Sequence, residues 1–127
     1  MRNLVIIAGA LMSLTLPSSV AAQDFDRGVS AYEAGDYLTA LRELRPLAEQ
    51  GDAVAQNYLG VMYYNGQGVP QNYQLAYMWF SLAAAKGGEG AASARDRAAG
   101  RMTREQIARA QQLSAECFNR NYQGCAQ

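Results

Sequence analysis

The apolar positions in the middle of the chain recur at helical spacing. Between residues 53 and 65 they are Ala55, Leu59, Met62 and Tyr63, a single stripe that predicts an amphipathic helix. Between 72 and 86 there are two stripes, Tyr73, Ala76, Tyr77, Phe80 and Ala84 on one side and Leu75, Trp79 and Leu82 on another. Only Gln74, Met78, Ser81 and Ala85 are left for a water-facing edge. A helix that is apolar on two sides needs a partner on each, so this one is expected inside a stack. The connection between the two helices, Asn65 to Asn72, reads NGQGVPQN and concentrates the helix breakers. Gly66 and Gly68 can take positive φ and stop the first helix. Val69 is the apolar residue that packs the loop, Pro70 cannot continue a helix, and Asn72 can cap the next one. The predicted unit is an antiparallel helical hairpin. Gly60, Ala76, Ala83 and Ala84 are small enough to let its backbones approach.

The pattern repeats. A shift of 36 residues places Asp36, Tyr37, Ala40, Leu41, Leu44, Ala48 and Gly51 on Asn72, Tyr73, Ala76, Tyr77, Phe80, Ala84 and Gly87. Upstream of the loop the shift is 32, pairing Gly28 with Gly60 and Tyr32 with Tyr64, because the second connection is four residues longer. Helical hairpins with a period in the thirties build an α-solenoid. The expected fold is therefore all-α, a short solenoid of about three antiparallel hairpins.

Residues 51–87 resemble the Sel-one-like repeat, a relative of the tetratricopeptide repeat. The resemblance rests on Ala55-Gln56, Leu59-Gly60, Tyr63, the Gly66-x-Gly68-Val69 loop, Ala76, Trp79-Phe80, Ala83-Ala84 and Gly87. Residues 23–50 read as a partial N-terminal repeat without the Gly-x-Gly loop and with Pro46 inside its second helix. In that repeat Thr39 and Glu43 stand where Leu75 and Trp79 stand later, the polar outer face that a terminal repeat requires. Residues 88–127 read as a degenerate repeat and C-terminal cap. There Thr103-Arg104-Glu105-Gln106 has the form of a capping box, and Ile107, Ala110, Leu113 and Cys117 make a helical stripe. The resemblance implies a scaffold or adaptor in envelope assembly or signalling that holds a peptide segment or one helix in its groove.

The first 22 residues read differently. Arg2 precedes an apolar run from Leu4 to Leu16, then come Pro17-Ser18-Ser19 and the small residues Val20-Ala21-Ala22. This is the layout of a signal peptide cut after Ala22. A run of 13 residues is short of the roughly 20 that span a bilayer as a helix, so no stable membrane anchor is expected after cleavage. The expected location is periplasmic or secreted.

Charge excludes little except nucleic acid. From Gln23 to Ala85 there are three arginines against seven acids, and from Lys86 onward seven basic residues against four acids. Neither half contains the dense basic run that a phosphate backbone calls for. The chain has no histidine, which removes the commonest general base and transition-metal ligand. Neither a phosphate loop nor a nucleophile elbow is present. No cofactor or metal site and no enzymatic activity are expected. Cys117 and Cys125 are an even pair in a chain expected to be exported, so they are read as a disulfide that pins the tail, not as a Cys-x-x-Cys redox centre.

Of the aromatics crowded into 58–80, most are core fillers, but Tyr64 lies off the main stripe of its helix, with Asn57 seven residues before it. Asn57 and Tyr64 are the expected partner contacts, with Arg95 and Arg101 supplying positive charge beside them. Two other readings stay open: a wall-active hydrolase built on carboxylates such as Asp24 and Asp26, and a structural subunit of an oligomer. The oligomeric state is not legible in the sequence.

Overall fold

The computed structural model describes residues 19–125, and every regular element among them is an α-helix. In chain order they are α1 (Ser19–Glu33), α2 (Tyr37–Glu49), α3 (Ala53–Asn65), α4 (Tyr73–Ala85), α5 (Ala91–Ala99) and α6 (Arg104–Asn119). Residues 1–18, most of the expected signal segment, lie outside the described residues. The expected cut after Ala22 falls within the first turn of α1.

Four of the helices start at a short polar side chain placed before them. Asp36, Asp52, Asn72 and Thr103 accept the backbone N–H three residues further on at 3.3, 2.8, 3.0 and 3.1 Å. At Thr103 the Gln106 side chain returns the bond to the Thr103 N–H, which completes a capping box. Thr39, through its side chain and then its backbone N–H, holds the Asp36 carboxyl below its ordinary value. Helix α2 runs through Pro46 to Glu49 without interruption.

Helices α1 and α2 form one hairpin, α3 and α4 a second, and α2 packs on α3 to stack the two. The repeat is visible in how each hairpin closes. In the first, a Cβ on Gly28 would lie 2.7 Å from Leu44 Cγ; in the second, a Cβ on Gly60 would lie 2.5 Å from the Phe80 ring. A bare backbone thus faces a large apolar side chain at equivalent places in both units. Gly60→Ala is expected to cost roughly 1–3 kcal/mol through overpacking, reduced by about 1 kcal/mol of helix propensity gained. Adding Phe80→Leu, which puts opposite residue 60 the side chain that faces Gly28 in the first unit, removes ring atoms from the close approach and should recover part of that loss. The measurement is a double-mutant cycle by urea unfolding; additive losses would mean that the two residues do not meet.

The NGQGVPQN loop also joins the hairpins. Gln67 accepts from the Tyr32 hydroxyl at 3.0 Å and donates to the Tyr37 hydroxyl at 3.2 Å. Gly68, at φ +71°, lies so close to the start of α2 that a Cβ there would be 3.0 Å from the Tyr37 carbonyl oxygen. The Asn72 N–H donates to the Tyr63 carbonyl at 2.9 Å and closes the base of the loop. Between α2 and α3, Arg45 donates to the Tyr63 hydroxyl at 3.2 Å. Burial raises the Tyr63 phenol above its usual range, and Arg45 partly offsets this.

Helix α4 is the centre of the molecule, packed against α3 on one side and against α5 and α6 on the other. Ala76, Tyr77, Met78, Trp79, Phe80, Leu82 and Ala83 are all buried. The water-facing edge is narrower than the pattern predicts: Met78 is fully buried, on a helix that packs against three others. Ala84, at the end of the predicted stripe, is only half-buried. Contacts pair Tyr77 with Gln111 (111 − 77 = 34) and Lys86 with Tyr122 (122 − 86 = 36), so α6 runs beside α4 in the same direction. The third unit departs from a closed hairpin, since α5 and α6 each dock on α4 with little direct contact between them.

Cys117 and Cys125 are joined, with Cα atoms 5.2 Å apart and Cys117 buried in the core. The bond folds the tail back along the array. Gln123 Nε2 donates to the Glu49 carbonyl at 2.9 Å, and the Lys86 ammonium sits 4.9 Å from the centre of the Tyr122 ring. Gly51 leaves room for both, since a Cβ on it would collide with Lys86 Nζ and approach Tyr122 to 3.1 Å.

Candidate functional site

In a stack of hairpins the first helices of successive units line one face. Here those are α3 and α5, and a cavity of about 280 Å³ lies between them. Val61, Tyr64 and Asn65 of α3 form one wall, Phe80 of α4 lines it, and Ala94 and Arg97 of α5 form the other wall. The α3 residues are one turn apart and lie off the buried stripe of Leu59, Met62 and Tyr63. The opening exists because α5 carries little bulk. Its buried residues are Ala91, Ala94 and Ala98, so methyl groups meet α4 where larger side chains would fill the gap.

Neighbouring contacts fix the α3 wall. The Tyr64 ring meets Tyr73 edge-on at 5.2 Å between centroids, and Gln71 donates to the Tyr64 carbonyl at 3.0 Å. Asn57 is one turn before Val61 on the same helix, half-buried, and its Oδ1 is buried without a hydrogen-bond partner. Further along this face, the Tyr58 ring meets Tyr32 of α1 at 5.2 Å. Burial raises the Tyr58 phenol, and the charge of Glu33 adds to the effect.

Of the four contacts expected from sequence, the structure puts Tyr64 in the cavity wall and Asn57 further up the same helix. The arginine on the cavity wall is Arg97. Arg95 is held by Asp96 at 3.3 Å, and Arg101 is exposed in the link after α5. Arg97 is exposed in the last turn of α5 and has no ion-pair partner among the described residues. Sequence reasoning missed Val61, Asn65, Ala94 and Arg97. For the last two a signal was present, since a spacing of three on a helix puts Arg97 on the same face as Ala94.

A second groove of about 330 Å³ lies between the start of α4 and α6, bordered by Asn72, Gln74, Leu75, Arg109, Leu113 and Cys125. A cavity of about 540 Å³ is bordered by residues of α6 alone, and another of about 330 Å³ by residues of α2 alone; these two are open helix faces. No group of three or more metal-ligating side chains occurs among the described residues, and no described helix is long and apolar enough to cross a membrane.

Residues 53–88, which are α3, the NGQGVPQN loop, α4 and the turn after it, match the Sel1 repeat. Comparison with curated proteins and with solved structures gave no match. The central hairpin thus matches a Sel1 repeat, which supports a place for this part of the chain among Sel1-like repeats.

Proposed function

We propose that this chain is an exported, non-enzymatic interaction module that holds a segment of another protein in the groove between α3 and α5. Sel1 repeats generally mediate protein–protein interaction. The observation that carries the reading is the small, three-sided cavity itself. At about 280 Å³ it falls just below the roughly 300–1,000 Å³ of pockets that enclose whole small molecules, and it suits one anchoring side chain of a longer segment. Tyr64 forms its wall and Asn57 extends the contact along α3, while Arg101 adds positive field beyond Arg97 and Arg95 is engaged by Asp96. Export is supported by the apolar leader pattern and by a disulfide, which persists in oxidising compartments. Assembly through an apolar patch is less well supported, because the exposed large apolar residues Leu38, Val54 and Phe118 sit on three different helices.

Filling the cavity tests the proposal. Ala94→Phe places a ring in existing space, so the melting temperature should stay within a few degrees. Binding of heptapeptides selected from a random displayed library on the wild-type chain should fall at least tenfold, read by fluorescence anisotropy. Binding that survives the substitution would put the contact surface elsewhere.

A further inference from the structure

The lining of the groove says more about its occupant, on the reading that the groove is the binding surface. Its interior is apolar where Val61, Phe80 and Ala94 meet. Positive charge lies on the α5 side. Arg97 stands on the α5 wall, and Arg101 and Arg104 follow within the next seven residues, all three exposed and none in an ion pair among the described residues. Along this stretch Asp96 is engaged by Arg95, and the exposed Glu105 offsets one of the three arginines, which leaves the α5 side net positive. The other end of the same face carries the opposite sign. There Glu33, the last residue of α1, is exposed beside Tyr32, whose ring touches Tyr58 of α3.

We infer that the groove selects an internal acidic segment in which a bulky apolar side chain seats between Val61, Phe80 and Ala94 and side-chain carboxylates lie over Arg97 and the α5–α6 link. The apolar anchor supplies the desolvated contact, and the arginines set direction. A carboxylate over α5 is attracted by Arg97, whereas the reversed segment brings it toward Glu33. Guanidinium groups bind carboxylates through paired N–H donors, which makes an arginine a geometric as well as an electrostatic selector. Three arginines within eight residues, none in an ion pair among the described residues, suit several side-chain acids better than the single charge of a chain terminus. Arg97 borders the same cavity as Val61, Phe80 and Ala94, so the acids should lie within a few positions of the anchor.

The test uses the full chain and four synthetic heptapeptides with blocked ends, each with one central leucine. After the leucine they carry two aspartates, two asparagines, two lysines, or two alanines with the C-terminal carboxylate left free. Anisotropy titrations should rank the diaspartate peptide first, at least tenfold tighter than the dilysine peptide, with the gap shrinking as salt rises. Arg97→Glu should abolish or invert that ranking. Arg109→Glu, which changes the same net charge on a different groove, should leave it intact. Equal binding of the aspartate and asparagine peptides, an unchanged ranking in Arg97→Glu, or best binding by the free-carboxylate peptide would each overturn the inference. Those three results leave the groove reading standing as long as Ala94→Phe still weakens every peptide. Loss of that Ala94 effect, or no binding by any of the four peptides together with no enrichment from the random library, would overturn the groove reading and this inference with it.

Discussion

Replacing Trp79 by alanine is expected to cost about 3–5 kcal/mol, the range for deleting a buried large aromatic. Trp79 is 1 % exposed on the helix that α3, α5 and α6 surround. A domain of this size has a total stability of only about 5–15 kcal/mol, so the variant should be partly unfolded near physiological temperature. Trp79→Phe provides the graded control. The buried indole Nε1–H has no hydrogen-bond partner among the described residues, so phenylalanine gives up volume without giving up a bond. It should lose less than half as much as alanine does. Urea unfolding followed by circular dichroism measures both. A loss below about 1 kcal/mol for Trp79→Ala would mean that this flank of α4 is open in solution. The equivalent residue of the first unit is Glu43, paired with Arg27 of α1 at 3.2 Å. With its Arg27 end in water the pair contributes little, so Glu43→Ala serves as the milder counterpart at the same repeat position.

The second large effect concerns the tail. Replacing Cys117 and Cys125 together by alanine should cost roughly 2–3 kcal/mol in the chain-entropy account, which assigns most of the gain to constraint of the unfolded chain. Alanine is preferred to serine because Cys117 is 2 % exposed and a hydroxyl there would be buried. Dithiothreitol should lower the melting temperature of the wild-type chain to near that of the variant and leave the variant unchanged. If reduction has no effect on wild type, the bond does not hold the tail against the array.

Much of this architecture is legible from residue types. Asp36, Asp52, Asn72 and Thr103 announce the helix starts because capping depends only on a short polar side chain and the next three residues. The offsets of 32 and 36 already pair Gly28 with Gly60 and Leu44 with Phe80, the four residues at the two close approaches. The position of α5 is less legible. An alanine-rich helix has no strong stripe, so nothing local shows that it docks on α4. For the same reason the cavity was invisible, since it is made by side chains that α5 lacks. Arg97 joins Tyr64 only through the spacing of two helices that are some thirty residues apart in the chain. The contact of Tyr122 with Lys86 beside Gly51 likewise joins three turns that no periodicity connects.

The return of the tail has a kinetic side. Its hydrogen bond from Gln123 to Glu49 spans 74 residues, the longest sequence separation of any side-chain bond among the described residues. Each hairpin closes through neighbours a few turns away, whereas this bond requires α2, α4 and α6 to stand in register first. Loop-closure entropy disfavours so distant a contact until the intervening chain is already compact. The last residues thus act as a seal set on a finished array, and in a partly assembled chain they have no surface on which to close.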